Sequence, residues 1–217
     1  MRLFLDSAAP ADWRVWLPGG LLSGITTNPT LLKRVGLACE LPTVKRLTEQ
    51  ALALGAQELH LQAWGGDAEA FYDCGSRLAA LAPGRVVVKL PITRAGCAAA
   101  ARLIATGQRV TFTACYDASQ MLLASALGAD YAAPYLGRIG DGGRDGHAEV
   151  IQMQRTLDGL QSATRLLAAS LRQVSDVSRL AAAGVHCFTL SAALLATLFE
   201  QPETLAAAAQ FEVDAAG

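Results

Sequence analysis

Short runs of β-branched, aromatic and leucine residues recur along the whole of this chain: Arg2–Asp6, Leu22–Asn28, Glu58–Trp64, Arg85–Pro91, Arg109–Tyr116, Tyr131–Leu136, Arg165–Leu171 and His186–Ser191. Between them lie longer Ala/Leu-rich segments with helical spacing, among them Leu41–Leu54, Ala68–Leu81, Ala95–Ala105, Ala118–Leu127, Ala148–Leu160 and Ser175–Ala183. Gly55, Gly107, Gly128 and Gly184 each stand just before the next run, where a helix C-terminus favours a left-handed residue. Near-continuous apolar runs suit strands buried on both faces, and parallel neighbours need a crossover between them. Eight such repeats in 217 residues predict an α/β fold: a single-domain (β/α)8 TIM barrel, close to its usual minimum length. A doubly wound open sheet is the alternative, but no G-x-G-x-x-G or P-loop opens a helix. No linker or composition shift divides residues 1–217. The tail adds Ala192–Phe199 and an extra C-terminal helix at about 203–213.

Composition removes several function classes. With 52% hydrophobic residues the chain can fill a sizeable core, which excludes general disorder. Its 18 basic and 19 acidic residues form no cationic run, so nucleic acid is not an expected partner. The charge-free stretch Val15–Leu32 is broken by Pro18, Gly19, Gly20, Asn28 and Pro29, so it does not read as a spanning helix. Asp6 interrupts the opening apolar stretch, against a secretory leader. The five cysteines are scattered with no C-x-x-C pair and read as small buried hydrophobes in a reducing compartment. The expectation is a soluble cytoplasmic protein without a membrane partner.

Polar residues gather at the C-terminal ends of these apolar runs. They are Asp6; Thr26, Thr27 and Asn28; Gln62; Lys89; Thr111 and Thr113; Tyr135 with Arg138 beyond; Ser170; and Thr189 with Ser191. Barrel active sites are built at that rim. A period of two lets Phe4/Asp6, Thr26/Asn28, His60/Gln62, Val87/Lys89 and Thr111/Thr113 point inward together. Any one Thr or Ser among them can equally be a satisfied core hydroxyl.

Lys89 is the sharpest signal. It sits in Val86-Val87-Val88-Lys89-Leu90-Pro91, in a chain that uses 15 Arg and only 3 Lys. A buried ammonium costs several kcal/mol unless paired or neutralised. Lys89 can therefore be an ion-pair partner of Asp6, or a nucleophile whose pKa burial has lowered, ready for Schiff-base chemistry.

Asp6, Thr26, Asn28 and Gln62 are then candidates for holding a polyhydroxylated substrate and a catalytic water. Tyr135 is a candidate proton shuttle or a capping aromatic. Arg138 and Ser170 lie near the place where barrels bind phosphate, with Arg172 a weaker candidate. The glycine-rich segment 140–147 reads as a flexible loop over the rim, with Arg144 and Asp145 solvated. His60, His147 and His186 show no metal-ligand spacing, so neither metal nor organic cofactor is expected, and His60 reads as a satisfied core residue.

Six motifs carry a family resemblance: Leu5-Asp6, Gly24-Ile25-Thr26-Thr27-Asn28-Pro29-Thr30, Val88-Lys89-Leu90-Pro91, Thr113-Ala114-Cys115-Tyr116, Ala133-Pro134-Tyr135 and Ala168-Ala169-Ser170. Together, from Arg2 to about Phe211, they resemble the transaldolase superfamily, above all its small branch of fructose-6-phosphate aldolases and short transaldolases. The resemblance implies a (β/α)8 barrel with Lys89 as the Schiff-base lysine and Asp6 and Asn28 orienting the donor's hydroxyls. It further implies phosphate at Arg138 and Ser170, Thr113 on the catalytic water, and no cofactor. Sugar phosphates and dihydroxyacetone are the implied partners, and a homo-oligomer, pentamer or decamer, the implied assembly. Gln62 and Tyr135 match the aldolase branch, whereas similar transaldolases carry Glu and Phe there. The expected activity is therefore a class I fructose-6-phosphate aldolase, with a transaldolase as the alternative and a non-catalytic sugar-phosphate-binding barrel as the third reading. The chain departs from the family pattern at Gly137, where a polar residue is more usual, and at Gly140-Asp141.

Overall fold

The computed structural model describes residues 1–217. Eight parallel strands, each hydrogen-bonded to the next and the last to the first, close a barrel in chain order. The elements run β1 (Arg2–Asp6), α1 (Pro10–Trp16), β2 (Gly24–Thr26), α2 (Pro29–Arg34), α3 (Leu41–Ala53), β3 (Glu58–Gln62), α4 (Ala68–Ala79), β4 (Val86–Pro91) and α5 (Arg94–Ala105). The second half runs β5 (Val110–Cys115), α6 (Gln120–Leu127), β6 (Tyr131–Pro134), α7 (Leu136–Asp141), α8 (Gly146–Gly159), β7 (Arg165–Ala168), α9 (Val174–Ala182), β8 (Cys187–Leu190), α10 (Ala192–Thr197) and α11 (Pro202–Ala216).

Two apolar layers hold the fold. A cluster of 46 buried residues fills the space between barrel and helices, with Leu5, Leu59, Val88, Leu90 and Phe112 turned outward into it. A second cluster of Phe4, Val87, Tyr131, Ala133, Leu167 and Cys187 plugs the barrel interior. Alternate residues on β4 thus fall into separate layers, the period-two pattern the sequence predicts. His60 lies between the Phe4 and Tyr131 rings, at 4.8 and 4.9 Å.

Capping side chains set the helix starts. Asp67, Thr93, Asp145 and Ser191 accept from the backbone N–H of Ala70, Gly96, Ala148 and Leu194, beginning α4, α5, α8 and α10. Gly128, at φ 70°, closes α6. The expected loop over 140–147 is corrected. Residues up to Asp141 belong to α7, α8 starts at Gly146, and only the turn 142–145 joins them. Glycine is tolerated there because Leu136, Gly137 and Ile139 pack inward, and Asp145 is a cap rather than a free charge. The C-terminal helix also runs longer than expected, to Ala216, and is exposed throughout. No helix is long and apolar enough to cross a membrane.

Candidate active site

Nine of the residues singled out in the sequence converge, whereas Thr27 and Thr111 do not line the cavity. Asp6, Thr26, Asn28, Gln62, Lys89, Thr113, Tyr135, Arg138 and Ser170 all line one cavity of about 730 Å³ at the C-terminal rim of the barrel. Thr189, Ser191 and Arg172, noted at strand ends, line it too, joined by Arg34 and Trp64, which no sequence signal marked.

Lys89 comes from β4 and is only 5% exposed, whereas Lys33 and Lys45 lie exposed on α2 and α3. Its Nζ donates to the backbone carbonyl of Thr27 at 3.1 Å. It forms no salt bridge, so the arrangement in which Asp6 captures it as an ion pair does not occur. Burial pushes the Lys89 amine below its ordinary range, and the negative charge of Asp6 opposes that only in part. A neutral amine facing a polar cavity can attack a carbonyl.

Thr26 Oγ1 donates to Asp6 Oδ1 at 2.6 Å, and the same oxygen lies 2.6 Å from Thr189 Oγ1. Asn28 spends its Oδ1 on capping α2, accepting from Leu31 N at 3.0 Å. Its amide nitrogen, which makes no hydrogen bond within the protein, is left free for a ligand. Gln62 turns its nitrogen to the carbonyls of Ala63 and Lys89, at 3.1 and 3.2 Å. The amide orientation follows from chemistry, because its oxygen in that place would face two other oxygens. Gln62 therefore offers its own oxygen to the cavity as an acceptor.

Thr113 and Tyr135 meet directly, Oγ1 to Oη at 2.6 Å. The β5–β6 register shifts between Phe112 and Cys115, with Ala114 at φ 57°. That bulge turns Thr113 toward the phenol. Burial raises the Tyr135 phenol, the Thr113 hydrogen bond lowers it, and Asp6 adds to the rise. At neutral pH the group is a hydroxyl able to give or relay a proton.

The cationic side is built from α7, which follows β6, and from the segment just after β7. The Arg138 guanidinium lies 5.2 Å from the centre of the Tyr135 ring and has no carboxylate partner within salt-bridge distance. Arg172 is held by Asp141 at 2.5 Å. Ser170 sits at φ 58°, an uncommon backbone for a residue with a side chain. Gly137 explains how these parts fit. A Cβ there would lie 2.5 Å from the Ser170 carbonyl oxygen and 2.7 Å from Arg172 Nε. The polar residue more usual at this position has no room in this chain.

The histidines stay apart. Inside the barrel, His60 Nε2 donates to Glu58 and Nδ1 meets Thr111 Oγ1, at 2.9 and 2.8 Å, so it is the satisfied core residue expected. His147 Nε2 lies 3.1 Å from Asp176 but off the line of a hydrogen bond, and His186 is exposed before β8.

An amine in an apolar strand, a phenol and a pair of arginines thus share one polar cavity at the C-terminal rim of a (β/α)8 barrel. The chain matches the family model described as Transaldolase/Fructose-6-phosphate aldolase over residues 3–216, and it belongs to that family. It is 32% identical to a probable transaldolase of Phenylobacterium zucineum over 214 residues, covering 99% of this chain and 96% of that protein. It is 37% identical to a probable transaldolase of Thermus thermophilus over 216 residues, covering 94% and 93%. With a probable transaldolase of a Caulobacter species it shares 35% over 217 residues, covering 100% and 97%.

Proposed function

We propose that the protein is a class I aldolase that cleaves and forms fructose 6-phosphate through an iminium on Lys89. The observation that carries this reading is the buried Lys89 amine, unpaired by any carboxylate and open to the cavity. Its neutral amine attacks the ketone carbon, and loss of water from the carbinolamine leaves a cationic iminium. Tyr135, coupled to Thr113, relays the proton of the C4 hydroxyl: it passes its own phenolic proton to a water on the Gln62 oxygen as it receives the substrate's, and that proton later returns to the enamine carbon. The C3–C4 bond then breaks, its electron pair moves into the iminium, and glyceraldehyde 3-phosphate leaves. Protonation of the enamine carbon and addition of water release dihydroxyacetone and return the free amine. Arg138 and Ser170 hold the phosphate, and Asp6, Thr26 and Asn28 hold the donor's hydroxyls. Holding the amine and the carbonyl in register supplies much of the rate.

A second reading rests on the names of the relatives, each a probable transaldolase. There the enamine persists until the aldehyde carbon of an aldose phosphate such as erythrose 4-phosphate takes it up. Gln62 and Tyr135 favour hydrolysis, since a phenol beside a held water can protonate the enamine. The reading also carries a homo-oligomer, supported by Leu205, Phe211 and Val213 on α11, each more than half exposed. Sedimentation at micromolar concentration tests that assembly, and a monomer would remove it.

Borohydride added with dihydroxyacetone or fructose 6-phosphate should inactivate the enzyme and leave a covalent adduct on Lys89, located by mass spectrometry. An adduct on Lys33 or Lys45, or none, would refute the proposal. Lys89→Arg should be inactive although it keeps the charge, since a guanidinium forms no iminium.

A further inference from the structure

Two hydroxyls and a carboxylate form a chain whose direction can be worked out from donor counting. Thr26 Oγ1 lies 2.6 Å from Asp6 Oδ1 and 2.6 Å from Thr189 Oγ1, and Thr26 is fully buried. An ionised carboxylate only accepts, and a threonine hydroxyl has one proton. The Thr26 proton therefore goes to Asp6, and the Thr26 lone pair must be met by the proton of Thr189. Thr189 comes from β8, 163 residues away and on the far side of β1 from β2, is 4% exposed, and lines the cavity.

We propose that Thr189 is a positioning residue of this site. Its hydroxyl fixes Thr26 as the donor to Asp6, and that donation holds the Asp6 carboxylate out of salt-bridge range of Lys89. The proposal rests on the Schiff-base reading for its consequence in activity, but its geometry stands alone. A protonated Lys89 would be drawn to the Asp6 carboxylate at the same rim, yet the Lys89 nitrogen donates to the Thr27 carbonyl instead. Something must hold the carboxylate back, and its protein hydrogen bond is the one from Thr26. Without the Thr189 proton, Thr26 would keep a buried lone pair unmet, which favours another χ1 rotamer that brings its oxygen to a donor and takes its proton off Asp6. Asp6 would then be free to close on Lys89, and an ammonium held in an ion pair is not a nucleophile.

The test is a graded set: Thr189→Val, which keeps the shape and loses the hydroxyl, Thr189→Ala as a second hydroxyl-free variant, Thr189→Ser, and Thr26→Val one link nearer. In crystal structures of the hydroxyl-free variants, an Asp6 oxygen should stand within 4 Å of Lys89 Nζ. The rate of borohydride trapping at saturating dihydroxyacetone should fall about five- to tenfold, the size of one lost hydrogen bond, with KM little changed. Thr26→Val should lose more, and Thr189→Ser should regain the wild-type rate and geometry. An Asp6 that stays put in both hydroxyl-free variants, or a Ser variant no better than Val, overturns the proposal. If wild type itself traps nothing, the Schiff-base reading falls, while the Asp6 position in the crystals still decides the role of Thr189.

Discussion

The side-chain nitrogen of Gln62 donates to the backbone carbonyl of Lys89 at 3.2 Å, so the residue that faces the expected water is anchored to the strand that carries the amine. Its second N–H goes to the Ala63 carbonyl at 3.1 Å. A carboxylate in the same place would have no proton for either oxygen. Gln62→Glu should therefore show an ionisation that wild type lacks, with activity changing across it as the new carboxyl deprotonates and swings into the cavity. Superimposable pH–rate profiles for the two proteins would refute this.

Tyr135→Phe removes the phenol oxygen that meets Thr113 at 2.6 Å. As a proton shuttle that oxygen is worth on the order of 10²–10⁴-fold. Net cleavage of fructose 6-phosphate should fall by about that factor, and transfer to an added aldose phosphate by less, because transfer shares the C4 proton step but needs no enamine protonation or hydrolytic release. The ratio of transfer to cleavage should rise. A wild type that already transfers far faster than it cleaves, with the ratio unchanged in the variant, identifies a transaldolase.

Arg138→Ala should raise KM about tenfold to a hundredfold for phosphorylated substrates, the weight of a charge-assisted contact, and leave dihydroxyacetone little affected. Gly137→Asn should act in the same direction without touching a charge, since its Cβ would displace Ser170 and Arg172. Equal losses on phosphorylated and unphosphorylated substrates would make both residues structural.

Stability should depend on pH through the barrel floor. Burial brings the His60 imidazole down from its ordinary 6.5 to about 4, with Glu58 only partly opposing. Burial alone would raise the Glu58 carboxyl, but hydrogen bonds from His60, Arg109 and Arg2 hold it well below the usual carboxylate range. The unfolded chain binds the His60 proton first, so stability is complete above pH 6.5 and is lost as pH falls toward 4. His60 alone accounts for roughly 3 kcal/mol of that loss. Urea denaturation at pH 7 and at pH 4.5 measures the difference, and His60→Phe should shrink it.

Local pattern alone was enough to determine the barrel and most of its rim, Arg34 and Trp64 excepted. Buried parallel strands need unbroken apolar runs, so a lysine at position 89 and polar residues at the strand ends stand out without coordinates. Of the helices of six or seven residues, α10 was legible but α1, α2 and α7 were not. No segment over α1, α2 or α7 is long enough to show a 3.6-residue period, and their starts depend on Pro10, Pro29 and the Asn28 cap. Which side chain meets which was decided only by closure of the barrel. Lys89 donates to a carbonyl 62 residues away, Thr26 meets Thr189 across 163, and Thr113 meets Tyr135 because a bulge shifts the register by a residue. Those pairings depend on strand tilt and stagger, which are properties of the closed sheet and of no single segment of chain.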